Sequence, residues 1–336
     1  MMLRNETTDK RLALRYAVLA AGPMILVVLL FIGIAAGAVS MTMTEIWQVL
    51  TGGGQGENYR IIYYLRLPRV FCAALTGTNL ALAGCILQGI LRNPLADPGI
   101  IGVTAGAGLA AMALMLVVPE MTYLVPFAAF LGALAAAAAV FLLAWERGIN
   151  PLRLILAGVA IAAFFGGGTA ALSVFFSDKI QGTVNWMAGG FAGASWQHVF
   201  MILPYSAFGI VVALWSYRKL NALQLGDDVA ASLGLHVERT RFFLVAIAAL
   251  LAASAVSVAG LLGFVGLVVP HIMRLLVGSD FEFLLPASAV FGAVLVIGAD
   301  IVARTAFSPV EVPVGIFLSF LGAPFFLYLL KRRMRT

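Results

Sequence analysis

Two arginines, Arg66 and Arg69, stand in the run Arg66-Leu67-Pro68-Arg69 at the start of a long apolar segment. If that segment crosses a membrane, counting spans from a cytoplasmic N-terminus places the pair on the external face. Cationic residues near short loops normally collect on the cytoplasmic face instead. Neither arginine has a carboxylate nearby in sequence. The pair therefore predicts an acidic partner that arrives from outside.

A carboxylate inside an apolar segment is the second candidate for chemistry. Asp300 and Arg304 are four residues apart, so on a helix they share a face and can form an ion pair. An intramembrane carboxylate is by default a functional candidate, but this near partner favours a structural ion pair. The long side chain of Arg304 can still extend outward to the surface.

The remaining reactive residues indicate no catalytic residue, metal site or bound cofactor. His271 could ligate a metal or haem, although a hydrogen-bonded structural histidine is the favoured interpretation. His198 and His236 fall on loops on opposite sides of the membrane, so no histidine cluster forms. The motifs GxxxxGK[ST], HExxH and GxSxG are absent. Cys72 and Cys85 lie on one helix roughly 20 Å apart and cannot form a disulfide.

Composition defines the class of protein. The chain has 336 residues, of which 62% are hydrophobic and only 11% are charged. A soluble domain carries about 25% charged residues, and the mean hydropathy here is +1.03. These values predict a polytopic membrane protein. The pI of about 9.6 does not indicate nucleic-acid binding, because topology alone explains most of the basic residues.

Apolar runs long enough to cross about 30 Å of hydrocarbon predict an all-α protein with about ten transmembrane helices. The seventh and eighth runs are separated only by glycine and small residues, which requires a tight turn between them. The external segment 37–65 is predicted as a loop with a short helix around Glu45–Leu50. The ten runs are 14–36, 67–89, 99–118, 122–144, 152–176, 198–217, 241–262, 264–278, 284–304 and 313–330.

An even number of spans places both termini on one side of the membrane. With the termini in the cytoplasm, sixteen of the 21 Lys and Arg residues are cytoplasmic, as the positive-inside rule requires. The five external cations are Arg60, Arg66, Arg69, Lys179 and Arg304.

The segment 88–108 predicts an abrupt return of the chain into the membrane. Asn93-Pro94 and Asp97-Pro98 both end helices, since a residue before proline avoids the α region. Gly102, Gly106 and Gly108 would then allow close helix contact. One interpretation is a reverse turn between packed helices, and the alternative is a constriction on a pathway. Further along, Pro270 frees a backbone carbonyl that a neighbour must satisfy.

The segment 217–241 is the longest and most polar cytoplasmic loop. Gly226 or Asp227 can begin a short helix that runs through Ser232, and Gly234 can end it in a left-handed conformation. A second short helix is expected from His236. Small Ala230 and Ala231 on the helix surface would suit insertion into a groove of another protein. An ordinary amphipathic loop at the membrane interface is the alternative.

The ordered motifs of the chain resemble those of the FecCD family, the permeases of binding-protein-dependent ABC importers for iron–siderophores, haem and cobalamin. The resemblance extends from about Tyr64 to Arg333. The motifs are RLPR at 66–69, NPLADPG at 93–99, LAG at 156–158, WMAGGFAG at 186–193, LQLGDDVAASLG at 223–234, GFVGLVVPHIMRLLVG at 263–278, LLPASAVFGA at 284–293, ADIVAR at 299–304 and LGAPFFLYLL at 321–330.

The resemblance implies a type II ABC importer permease fold, a single transmembrane domain over 1–336, and 217–241 as a coupling loop within it. It implies a homodimer, or a pair with a closely related permease. It also implies two ABC ATPase subunits, which bind ATP and magnesium, and an external substrate-binding protein. The chain itself would then be no enzyme, and it would reside with both termini cytoplasmic in the cytoplasmic membrane of a bacterium or an archaeon.

The resemblance also assigns roles to residues of this chain. Arg66, Arg69 and Arg304 would dock the binding protein. Asn93 and Leu95 would form a cytoplasmic gate. A second gate element of the family carries small hydroxyl residues, whereas this chain has Pro151 and Leu152 there, so no gate residue is carried over. The segment 223–237 would form two short coupling helices on the ATPase, with Gly226, Asp227, Ala230, Leu233 and Gly234 as coupling residues.

Together these features predict ATP-driven import of an iron–siderophore or a related chelate such as haem or cobalamin. An ion-coupled secondary transporter is the alternative, and it would need an intramembrane carboxylate or a broken helix to bind the coupling ion. Asp300 is the only deep carboxylate that the sequence indicates. The sequence does not identify the chelate.

Overall fold

A computed structural model describes residues 2–37, 41–52, 56–146, 151–308 and 310–333, and within them the side chains of all but residues 2–10, 151, 329, 330, 332 and 333. These residues form helices and no β-strand. The helices are α1 (Met2–Ala35), α2 (Met43–Leu50), α3 (Glu57–Arg60), α4 (Leu67–Leu91), α5 (Val103–Val117), α6 (Val125–Ala144), α7 (Pro151–Phe175), α8 (Gln181–Ala188), α9 (Trp196–Trp215), α10 (Tyr217–Gln224), α11 (Asp227–Ser232), α12 (Val237–Ala259), α13 (Val265–Val277), α14 (Phe281–Thr305) and α15 (Val314–Arg333).

Each of the ten predicted spans coincides with a helix, which confirms the predicted fold class. Seven helical segments of the described chain are long and apolar enough to cross a membrane. Three shorter apolar helices, 103–117, 265–277 and 314–328, lie at the positions of the other three predicted spans. The tight turn between the seventh and eighth spans is also confirmed, because Gly260 and Phe264 have φ of +68° and +67° between α12 and α13.

The segment before α4 is more helical than the sequence indicated. The short helix around Glu45–Leu50 is confirmed as α2. Residues 57–65, predicted as loop, instead belong to α3 and to a π-helical turn, Ile61–Arg66, that runs directly into α4. The apolar helical segment therefore extends over Glu57–Leu91. Residues 53–55, which include part of the Gly52-Gly53-Gly54 run, lie outside the described residues.

The core is built around α4 and α12, which are buried along most of their length. Glycines allow the neighbouring helices to approach these helices and each other at backbone distance. Gly77 of α4 lies against the backbone of Gly292 in α14, and Gly84 of α4 lies against Gly266 in α13. The predicted close contact at Gly106 is confirmed, since Gly106 of α5 lies against Gly132 of α6.

By contrast, α7 contributes few side chains to this core. Along its length, Leu156, Phe164 and Phe175 are 60–80% exposed. An apolar helix face of this kind is covered by lipid or by another membrane protein. The helices that carry the polar sites therefore belong to the core, whereas α7 lies at its edge.

Candidate functional site

The arginine end of the bundle, defined by Arg66, Arg69 and Arg304, is a buried cluster and not an open patch of cations. Arg66 and Arg304 are each 6% exposed. The side chain of Arg69 is 14% exposed. The three arginines predicted to act together are therefore close to one another, but they are largely buried below the protein surface.

Two of these arginines bind the end of α1. Arg66 Nη1 donates to Ile34 O at 2.7 Å and to Ala35 O at 2.8 Å. Arg304 Nη2 donates to Gly33 O at 2.5 Å. The last carbonyls of a helix lack partners within the helix and carry partial negative charge, so cationic groups stabilise them. No sequence pattern indicated this contact, because the end of α1 is 32 residues from Arg66 and 271 residues from Arg304.

Arg69 has two carboxylate partners, Asp300 and Glu311. Its Nε donates to Asp300 Oδ2 at 3.0 Å, and its Nη2 donates to Asp300 Oδ1 at 3.0 Å. Its Nη1 donates to Glu311 Oε2 at 2.8 Å. The predicted pair of Asp300 with Arg304 is also present, at 3.6 Å from Nε to Oδ2. The shorter, bidentate contact belongs to Arg69, 231 residues distant, so sequence proximity did not identify the main partner of Asp300.

At the opposite end of the bundle, α4 ends at a folded loop that we call the gate loop, residues 92–97. Arg92 ends the helix in a left-handed conformation, with φ of 48°. Asn93 Oδ1 accepts from Leu95 N at 3.1 Å, which forms a tight side-chain turn. Asn93 and Leu95, the residues predicted to act as a gate, are both partly buried within this turn.

The chain after the gate loop rises into the bundle, which corrects the sequence-based view of Asp97. Pro98 lies against Gly266, at the level of Leu80 in α4. Leu80 precedes the end of α4 by eleven residues, or roughly 16 Å. Asp97 is thus a second carboxylate within the bundle, in addition to Asp300. Its Oδ1 accepts from Gly99 N at 2.8 Å and begins the 3-10 turn Pro98–Ile101.

A cavity of about 780 Å³ lies beside this turn. Asp97, Thr104 and Ser319 contribute polar groups to a lining that is otherwise mostly apolar, from α15 and the break between α12 and α13. Mostly apolar cavities with a few polar groups are typical of small-molecule sites. Within the described residues, no three His, Cys, Asp or Glu side chains converge to form a metal site.

The backbone carbonyl freed by Pro270 is satisfied, as predicted. Gly266 O, four residues before the proline, accepts from Gln88 Nε2 at 3.2 Å. The same amide donates to Ala96 O in the gate loop at 3.3 Å, and Gln88 Oε1 accepts from Arg274 Nη1 at 2.9 Å. His271 has an edge-on contact with Phe325, with ring centroids 6.1 Å apart. Gln88 was not among the residues singled out from the sequence.

The loop predicted to couple to an ATPase contains α10 and α11. Gly226, with φ of 108°, precedes α11, and Gly234, with φ of 85°, follows it, as expected. The second short helix expected from His236 is absent, because the long helix α12 starts at Val237. The 223–237 segment therefore contains one complete short helix, α11, and not two.

The exposed face of α11 differs from the predicted one. Ala230 is fully buried, whereas Ala231 is exposed. Leu225, Val229 and Leu233 are 60%, 45% and 65% exposed. Val229 lies on α11, whereas Leu225 follows the last residue of α10 and Leu233 follows the last residue of α11. Exposed apolar side chains on a short helix and its flanking turns suit contact with a groove of another protein.

These features define an all-helical membrane protein, with a buried cation cluster at one end and an exposed helical loop joined to the gate loop at the other. Sequence comparison gives the family. The model of the FecCD transport family matches residues 25–332, so the chain belongs to the FecCD transport family. It is the transmembrane subunit of an ABC importer.

Individual relatives match nearly the whole chain. It is 39% identical over 335 residues to the Fe(3+)-citrate import system permease protein YfmE of Bacillus subtilis (strain 168), covering 99% of each chain. It is 39% identical over 323 residues to the hemin transport system permease protein HmuU of Yersinia pestis, covering 92% of this chain and 94% of the relative.

Two further matches extend the comparison. The chain is 43% identical over 274 residues to the cobalamin import system permease protein BtuC of Halobacterium salinarum, covering 81% of this chain and 74% of the relative. A solved structure of a metal-chelate type ABC transporter in an inward-facing conformation matches with a TM-score of 0.83 and 29% identity, covering 94% of this chain and 99% of the other.

Proposed function

We propose that this chain carries a metal chelate into the cytoplasm, driven by ATP hydrolysis in partner subunits. The observation that carries the proposal is the match, over nearly the whole chain, to permeases named for iron citrate and hemin, with a further match to one named for cobalamin. Because their named cargoes differ, the proposed substrate class is an iron–siderophore or a related chelate, including haem and cobalamin.

The proposed assembly contains two copies of this chain or of a close relative, two ABC ATPases and an external binding protein. The exposed apolar face of α7 supports contact with a second permease. ATP and magnesium bind to the ATPases, and this chain binds no cofactor. Both termini lie in the cytoplasm of a bacterium or an archaeon, and the arginine end faces outward.

The proposed contact with the ATPase is α11 and its flanking turns. Leu233 supplies exposed apolar surface, Asp227 is half-exposed, and Gly226 and Gly234 fix the turns on either side. Ala230 contributes indirectly, because its small buried side chain allows α11 to pack closely on the bundle. Asn93 and Leu95 form the proposed cytoplasmic gate.

The proposed docking surface for the binding protein is the arginine end. Arg66 and Arg304 shape this surface by holding α1, while Arg69 is the most exposed of the three arginines. Glu311, 47% exposed, neutralises part of that charge. Charged groups at the rim of an interface act mainly on the association rate and on its salt dependence.

An ion-coupled secondary transporter is not favoured. Asp300, the carboxylate on which that alternative depended, is held by Arg69 and Arg304. Asp97 is an additional deep carboxylate, but it begins a helical turn. The family and the structural match both point to an ABC importer.

Uptake by the purified complex tests the proposal. Proteoliposomes containing the permease and its ATPase, supplied with the binding protein, would be offered ferric citrate, a ferric hydroxamate, hemin and cobalamin in parallel. We expect ATP-dependent uptake of at least one chelate, unaffected by collapse of ion gradients. Uptake that persists without the ATPase and stops when the gradient collapses would instead establish the secondary transporter.

Docking is tested separately with single charge changes. Glu311→Gln is expected to speed association with an acidic binding protein, because it removes a negative charge from the surface, and Arg69→Gln to slow it. Both effects should shrink as salt rises, since exposed charges are screened within about 8 Å at physiological ionic strength. Exposed Arg60, changed to Gln, is the control for general loss of charge. Equal association rates for all variants would contradict docking at this end.

A further inference from the structure

The loop carrying the proposed ATPase contact is fastened to the last turns of α4. Gln224 Nε2, at the end of α10, donates to Gly89 O at 2.7 Å. Gly89 has no side chain, and Leu220 of α10 and Phe281 of α14 fill the space beside it. These contacts join α10 to the helix turn that leads into the gate loop.

A three-residue ion bridge joins α11 to the same place. Asp227, the first residue of α11, pairs with Arg92 at the start of the gate loop. The same oxygen, Oδ1, accepts from Arg241 Nη2 at 2.7 Å. The side chain of Arg241 is 4% exposed, whereas those of Arg92 and Asp227 are 37% and 48% exposed. Arg241 is therefore the buried residue of the three, and the ion pair between Asp227 and Arg92 lies at the protein surface.

The far end of the gate loop is anchored to a different element. The side-chain amide of Gln88 donates hydrogen bonds to Ala96 O in the gate loop and to Gly266 O of α13. One end of the loop is thus tied to α11 through Arg92, and the other to α13 through Gln88. Relative movement of α11 and α13 would change the distance between these two anchor points and so distort the loop that contains Asn93 and Leu95.

We propose that Arg92 is a positioning residue for transport: its ion pair with Asp227 passes the movement of α11 to the gate loop. The inference rests on the proposed function, since it assumes that an ATPase moves α11. It assigns to Arg92 a role in coupling that is separate from ATPase binding. Without this ion pair, α11 could move while the gate loop kept its position.

The test compares Arg92→Asn with Arg92→Lys in the reconstituted complex. Asparagine suits the left-handed backbone better than arginine, so Arg92→Asn removes the cation without adding strain. We expect ATP hydrolysis and ATPase binding close to wild type, and uptake per ATP hydrolysed to fall roughly fivefold or more. Arg92→Lys keeps the cation and should restore most of the uptake. Arg218→Gln is the control, because Arg218 is exposed on α10 and its cation lies over Tyr217, and within the described residues it forms no ion pair with a carboxylate.

Thermal unfolding in detergent checks that Arg92→Asn folds normally, as expected for an exposed ion pair that contributes little to stability. Unchanged uptake per ATP in Arg92→Asn overturns the inference while leaving the proposed function intact. Equal losses of uptake in Arg92→Asn and Arg92→Lys also overturn it, because the charge would then not be the cause. Absence of ATP-dependent uptake in the wild-type complex is the separate result that would reject the proposed function.

Discussion

The two ends of the bundle use the same ion-pair chemistry at different depths. At the arginine end, Asp300 and Arg304 are nearly inaccessible to solvent, and Arg69 is only slightly more exposed. At the opposite end, Asp227 and Arg92 are each more than one-third exposed. A buried charge cannot lose its partner without a large desolvation cost, whereas an exposed pair can separate into water at little cost.

This difference indicates a fixed end and an adjustable end. The arginine end binds α1, α4 and α14 into one unit, because Arg66 and Arg304 hold the carbonyls at the end of α1 while Arg69 holds Asp300. The opposite end joins α11 to the gate loop by contacts that water can replace. A transporter that switches between conformations needs elements whose local stability is low, and the exposed end provides them.

The largest effect is expected from Asp300→Asn. This change leaves Arg69 and Arg304 buried with less compensating charge, which should lower the free energy of unfolding by about 3–5 kcal/mol. Thermal unfolding in detergent, followed by tryptophan fluorescence, measures the loss. Glu311→Gln is the matched control, because Glu311 is 47% exposed and Arg69 keeps Asp300 in that variant. Equal destabilisation by the two changes would contradict the proposed difference between fixed and adjustable contacts.

An intermediate effect is expected from Gln88→Leu, which tests whether the adjustable end also has a fixed anchor. The change removes the amide shared by Gly266 O, Ala96 O and Arg274. Buried polar groups left without a partner should cost about 1–3 kcal/mol. The same unfolding measurement applies. A loss as small as that of Arg92→Asn would show that Gln88 does not anchor the gate loop.

The smallest effect concerns Glu45, a partly exposed capping residue of α2 at the arginine end. Hydrogen bonds from the backbone and then the side chain of Thr42 lower the pKa of Glu45 below its usual 4.5. Because the pKa is lower in the folded protein, the ionised carboxylate stabilises α2 at any pH above the unfolded-state pKa. This stabilisation is lost as the pH falls through the folded-state pKa. Hydrogen exchange of residues 43–50, corrected for intrinsic rates, should therefore show less protection at acid pH.

Glu45→Gln is the control for this pH dependence, since glutamine does not ionise. It should remove the change in protection with pH. Asn58 Nδ2 also donates to Glu45 Oε1 at 2.8 Å, so loss of the carboxylate should loosen the contact between α2 and α3 as well. The same pH response in wild type and Glu45→Gln would show that another group controls α2.

Much of the fold could be predicted because the membrane imposes length and composition on each helix. Ten apolar runs predicted ten helices, and Gly226 and Gly234 marked the turns beside α11, since a positive φ favours glycine. Helix ends were less accurate. The π-helical turn before α4 and the depth of Asp97 were missed, because both depend on packing against other helices.

The candidate site shows where sequence reasoning ended. The types and positions of Arg66, Arg69, Asp300 and Arg304 identified a charged cluster, and the local pair of Asp300 with Arg304 was correctly predicted. The sequence did not reveal that Arg69 is the bidentate partner of Asp300, nor that the other two arginines bind α1. It identified Asp227 but not its partner Arg92, 135 residues away.

By itself, the sequence determined that this chain crosses a membrane as a bundle of helices, which helices those are, and the family to which its motifs are similar. These properties follow from local composition and spacing. Only the tertiary structure decided which charges are buried, which are exposed and which meet, because those contacts join helices far apart in the chain. Burial separates the ion pairs that hold the bundle together from the pair proposed to move its gate loop.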